Sequence, residues 1–204
     1  MNIQEEIKEI KSSFRLMMDG KIAQSMREKG LDYHLNWGAT LPRLKEKADE
    51  IGKNYDLAIA LWKENVRECK ILATMIMPAE QLLPEVAAIW MEQTPTIEIA
   101  EQAAFNLYQH LPYAADMAYH CLASENDMSQ MCGYHILARL FMRKQEPNER
   151  GINEFVDQAL VALQSSNLTL RKAAMQAVIR FAELSLVHRR IAHSAVLSIG
   201  LDFV

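Results

Sequence analysis

Apolar residues recur three and four positions apart along almost the whole chain, and nowhere do they alternate. Ile3, Ile7, Ile10 and Phe14 begin the pattern, which is the signature of one buried stripe on a helix. No sustained period-two run stands between turn clusters, as a strand would require. The 204 residues include only 7 Gly and 6 Pro, too few for a sandwich or barrel of many short strands. Half the residues are hydrophobic, enough apolar surface to offset the chain entropy that folding must overcome. The pattern dictates an all-α fold.

The punctuation sets the helices. Gly30 and Gly52 read as C-terminal caps, and Thr40 before Leu41-Pro42 reads as an N-cap with proline just inside. Asn54 caps one long helix carrying Leu57, Leu61, Cys69, Leu72 and Met75. Pro84, Thr96, Asn126 and Asn167 mark later starts, and Pro112 and Gly151 mark breaks. About ten helices follow one another with short connections, pairing at intervals of about 35–40 residues. That period fits stacked helical hairpins of the HEAT type, a right-handed α-solenoid formed as one domain over residues 1–204. A globular all-α bundle is the alternative. Trp37, Trp62 and Trp90 suit packing in the core or between repeats, although Trp37 beside Gly38 in a loop is open to exposure.

Several chemistries have no support. Cys69, Cys121 and Cys132 form no CxxC pair, so neither a disulfide framework nor a zinc knuckle is expected, and each suits a small core hydrophobe. His110, His120 and His135 fall on successive helices without HxxxH spacing, so no metal is expected. No phosphate-binding glycine loop and no GxSxG are present, and no cofactor is expected. No apolar run is long enough to span a membrane. MNIQEEIKEIK is charged and amphipathic, which makes the cytoplasm the expected location.

Charge is distributed unevenly. Residues 71–129 contain 8 Asp+Glu and no Lys or Arg, whereas residues 130–204 contain 9 Lys+Arg and 6 Asp+Glu. The middle third would repel phosphate and the last third would attract it. Arg139, Arg143, Lys172, Arg180, Arg189 and Arg190 are the candidate phosphate ligands, with Lys144, Arg171, His188 and His193 nearby in sequence. Glu98 and Glu101 share one helix face, and a coupled carboxylate pair there would supply an acid or a base.

The segments GATLPRLKEKADEI and YDLAIALWKENVRECKILATMI resemble the alkylpurine DNA glycosylases of the DNA alkylation repair family. The resemblance rests on Gly38, Pro42, Leu44, Leu61-Trp62, Arg67-Glu68 and Leu72-Ala73, and continues through IEIAEQAAFNLYQHL, NDMSQMCGYHILARLF and LTLRKAAMQAVIRFAE. It covers residues 35–185 and implies a superhelix of HEAT-like repeats that holds damaged duplex DNA. It also implies a carboxylate and aromatic faces that stabilise a cationic sugar and base. The family's catalytic Asp falls at Glu101. Its two tryptophans fall at Ile97 and Gln176, and its groove arginine falls at Met131. Losing the aromatic faces removes cation–π attraction of about 0.5–2 kcal/mol each.

Two functions are therefore expected to compete. One is a non-catalytic scaffold that binds duplex DNA through the basic C-terminal third, or binds a protein. The other is an active glycosylase that releases cationic alkylated purines (7-methylguanine, 3-methyladenine), with Glu101 as the stabilising carboxylate.

Overall fold

A computed structural model describes residues 2–204, and no strand occurs among the described residues. The chain divides into two compact units, the first ending at Leu111 and the second spanning Pro112–Val204.

The first unit contains α1 (Ile3–Leu16), α2 (Gly20–Glu28), α3 (Leu41–Ile51), α4 (Tyr55–Lys63), α5 (Arg67–Ile76), α6 (Pro84–Glu92) and α7 (Ile97–Asn106). The expected α1 stripe is buried at Ile7, Ile10 and Phe14. Asn54 and Thr96 cap α4 and α7 through their side chains, whereas Thr40 precedes α3 without a side-chain cap. The single helix expected from Asn54 through Met75 is broken between Lys63 and Arg67. The backbone N–H of Arg67 there donates to the Leu35 carbonyl at 3.0 Å. A tertiary bond thus replaces one that helix continuation would have made.

Helices α3, α5 and α7 lie in sequence, with α5 packed on both neighbours. Charges at their N-terminal ends hold them together. Arg67 Nε and Nη2 donate to both Glu98 carboxylate oxygens, at 2.8 and 2.6 Å, and Nη1 donates to the Ala39 carbonyl at 2.9 Å. Glu68 accepts from the Trp37 and Ala39 N–H groups at 3.3 and 3.2 Å. Tyr33 OH donates to Glu98 at 2.6 Å. Arg67 and Glu68 are 1% and 0% exposed, so every bond in this cluster substitutes for lost hydration. Burial alone would raise the Glu98 carboxyl, but the hydrogen bonds and charge of Arg67, with Tyr33, hold it below its ordinary 4.5. A depressed carboxyl supplies stability that is present above about pH 4.5 and is lost as pH falls through the folded value. Urea midpoints of the native protein should therefore fall in that acid window. Glu98→Gln should show a flatter acid limb, and an equally steep limb would assign the acid loss to other groups.

Elsewhere in this unit, Trp62 of α4 and Trp90 of α6 stack with centroids 4.3 Å apart, worth about 1 kcal/mol beyond area burial. Lys70 caps this pair, its Nζ 4.5 Å from the Trp62 ring centroid and 2.8 Å from the Trp62 carbonyl oxygen. Trp37 is 7% exposed and packs on Phe14, so it belongs to the core.

The second unit contains α8 (Ala114–Leu122), α9 (Asp127–Met142), α10 (Glu149–Leu163), α11 (Leu168–Ala182) and α12 (Leu186–Ser198). Helix α9 packs on α8 and α11, and α11 packs on α10 and α12. Gly133 permits the close α8–α9 approach, since a Cβ there would lie 2.8 Å from the Ala118 carbonyl oxygen. Phe141, Phe155 and Phe181 meet edge-on or tilted at 5.2–5.5 Å. His188 stands perpendicular to Phe181 at 4.8 Å and is 7% exposed. It therefore belongs to the core and not to the basic surface suggested by its neighbours Arg189 and Arg190. All three cysteines are buried and none forms a disulfide, and burial pushes Cys69 and Cys121 up to about 12.

Candidate nucleic-acid interface

Helices α9 and α11 run side by side in the same direction. At their starts, Asn167 Nδ2 donates to Asp127 Oδ2 at 2.7 Å. At their ends, Lys144 Nζ donates to the Glu183 carbonyl at 2.8 Å. The two helices enclose a cleft of about 240 Å³. One wall is His135, Arg139 and Met142, spaced for a single face of α9, and the other is Gln176, Ile179 and Arg180 of α11.

The surrounding charge favours an anion. Together α9 and α11 carry Arg139, Arg171, Lys172 and Arg180 against Asp127, with Arg143 and Lys144 following α9. Helix α10 has the opposite balance, with Glu149, Glu154 and Asp157 against Arg150. The cations at the helix ends also complement the two C-terminal dipoles. Arg180 is held by Glu183 at 2.8 Å, with both side chains more than 40% exposed. An exposed pair of this kind contributes little stability, so an incoming anion can displace Glu183 at small cost. Burial lowers the half-buried His135 from 6.5 to about 4, helped by the Arg139 charge.

The expected phosphate ligands separate into two groups. Arg139 and Arg180 line the cleft. Lys172 lies eight residues before Arg180 on α11 and is exposed, and Arg143 is the exposed C-cap of α9. Arg189 and Arg190 are exposed on α12 and lie outside the cleft lining. Sequence reading did not single out Gln176 or His135 as members of this cleft. The available clue was their spacing of four residues from Arg180 and Arg139.

The positions named by the glycosylase resemblance fare differently. Glu101 is exposed on α7, and Ile97 at the start of α7 is half-buried. Met131 is 4% exposed and faces the core of the second unit, so it offers nothing to a ligand. Gln176 is exposed in the α9–α11 cleft. Glu98 is committed to Arg67 and Tyr33. Among the described residues, no group of three or more His, Cys, Asp or Glu converges as metal ligands would. No helix there is long and apolar enough to cross a membrane.

No known family profile and no curated protein matches the chain. A solved structure does, with a TM-score of 0.85 and 14% identity, covering 95% of this chain and 83% of that one. It is described as "a new family of proteins related to the HEAT-like repeat DNA glycosylases with affinity for branched DNA structures". The fold is therefore the HEAT-like α-solenoid.

The HEAT-like units are less regular than the expected interval of 35–40 residues. Their second helices begin at Leu41, Arg67, Ile97, Asp127 and Leu168, so the spacing grows from 26 to 41 residues. Helices α4 to α7 have only 9 or 10 residues, whereas α9 to α11 have 15 or 16. One device recurs across this irregular HEAT-like array. Lys53 follows α3 and donates to the Met75 and Met77 carbonyls at the end of α5, at 2.8 and 3.1 Å. Lys144 follows α9 and does the same for α11. In each case a lysine just past one helix satisfies carbonyls at the end of the helix two further along, which lack intrahelical partners.

Proposed function

We propose that the protein is a DNA-binding scaffold without glycosylase chemistry, and that it grips the phosphate backbone of branched or duplex DNA with the α9–α11 face. One observation carries the reading: Arg139 and Arg180, distant in sequence, share one cleft with the neutral donor Gln176. The affinity for branched DNA ascribed to the structural neighbour supports it. The residues at the two tryptophan positions of the resemblance argue against excision. An oxocarbenium-like state needs its carboxylate to work beside cation-stabilising rings, and the corresponding positions hold Ile97 and Gln176. Glu101 supplies an exposed carboxylate.

The test is a gel shift on a four-way junction and a matched duplex over a salt series, paired with an excision assay on alkylated DNA. Arg139→Ala with Arg180→Ala is expected to weaken binding about tenfold or more and to reduce the salt slope by about 2. Arg189→Ala with Arg190→Ala is expected to act more weakly. Neither 7-methylguanine nor 3-methyladenine should be released above a no-protein control. Release abolished by Glu101→Gln would replace this reading with the glycosylase. Failure to bind either DNA would move the face to a protein partner.

A further inference from the structure

We infer that the α9–α11 cleft seats a single backbone phosphodiester, and that His135 takes up a proton as the phosphate enters, so that DNA binding strengthens on mild acidification. The inference rests on the DNA-binding reading and adds a specific ligand, atom inventory and proton count to it.

The cleft has the size and donors for the task. A volume of about 240 Å³ admits a phosphodiester together with ordered water. Arg139 and Arg180 provide forked donors that suit phosphate oxygens. Gln176 adds a neutral amide, and His135 lies one helical turn before Arg139 on the same wall. An imidazole in this setting has two possible states, and its surroundings select one. Arg139 acts on it from its own helix. Across the cleft, α11 contributes Arg180, with Glu183 just beyond its end holding it. Helix α8 meets α9 on the side of Gly133 and carries Asp116, Tyr119, His120 and Cys121. His135 lies two positions after Gly133, which places that side about 200° around the helix. Burial, helped by the Arg139 charge, thus keeps the ring neutral at pH 7 without ligand.

A phosphate reverses this balance. Its charge neutralises the arginines and attracts a proton to the imidazole. The proton comes from solvent, and no covalent bond forms or breaks. By linkage, a group whose pKa rises on binding makes affinity increase as pH falls. If the complex returns His135 to its ordinary 6.5 from about 4, affinity should rise about tenfold between pH 7.5 and pH 5.5.

The experiment measures duplex or junction binding by the full chain at about pH 7.5, 6.5 and 5.5 at constant ionic strength. Calorimetry in two buffers of different ionisation enthalpy provides a second readout on the unmodified protein. Expected results are the tenfold rise and uptake of close to one proton at about pH 5.5. His135→Gln should lose the rise between pH 7.5 and pH 5.5 whatever its affinity at pH 7.5, whereas His193→Gln on α12 should retain it. A rise that survives His135→Gln, or binding without proton uptake in the native protein, overturns the inference while leaving the DNA reading intact. No binding at any pH overturns that reading instead.

Discussion

Arg67→Ala is expected to destabilise the first unit by about 3–5 kcal/mol, the range for removing one partner from a buried ion pair. The guanidinium satisfies three acceptors at once: Glu98, Glu68 and the Ala39 carbonyl. Truncation leaves the Glu98 and Glu68 carboxylates close together without a cation, and Glu68 is fully buried. Removing the charges together should cost less. Arg67→Met combined with Glu98→Leu keeps apolar volume and leaves fewer orphaned groups, so the double variant should be more stable than Arg67→Ala. Urea unfolding followed by helical circular dichroism measures both. A loss below about 1 kcal/mol for Arg67→Ala would mean that water reaches Glu68 and that the cluster is not dry.

The same cluster shows which parts of the fold can be read from a sequence. The stripe of Ile7, Ile10 and Phe14 and the caps Asn54, Thr96, Asn126 and Asn167 are local signals, and they stand as expected. The break between α4 and α5 is not local. Glu64, Asn65 and Val66 include no glycine or proline, and the helix ends there because Arg67 N–H finds the Leu35 carbonyl and its side chain finds Glu98. Arg67-Glu68 is legible only as a pair of charges in an apolar stretch, and its partners lie 28 to 31 residues away. The candidate interface divides the same way. The surplus of cations after residue 130 is visible in the composition. That Arg139 and Arg180 face one cleft while Arg189 and Arg190 do not depends on α9 and α11 running parallel, which the Asn167–Asp127 and Lys144–Glu183 bonds fix. His188 shows the converse error: basic neighbours suggest a surface, but the serine cap at Ser185 and the face of Phe181 draw it inward.

Gly38→Ala should be nearly as damaging as Arg67→Ala, for a different reason. Gly38 adopts φ +73°, which costs an L-residue about 1–2 kcal/mol. A Cβ would lie 2.2 Å from the Asp19 carbonyl oxygen and 2.9 Å from the Ala23 nitrogen, both backbone atoms that cannot rotate away. The turn would have to lift off the start of α2, straining the bond from Asp19 N–H to the Trp37 carbonyl at 2.8 Å. The expected loss is about 3 kcal/mol or more. Trp37 and Ala39 flank this glycine, and their N–H groups are the ones Glu68 accepts. Lifting the turn therefore removes part of what Arg67 and Glu68 are buried to satisfy. Gly38→Ala with Arg67→Ala should then cost less than the sum of the single losses, by about 1 kcal/mol or more. A double-mutant cycle on urea midpoints decides it. Strict additivity would mean that the glycine turn and the ion cluster stabilise the unit independently.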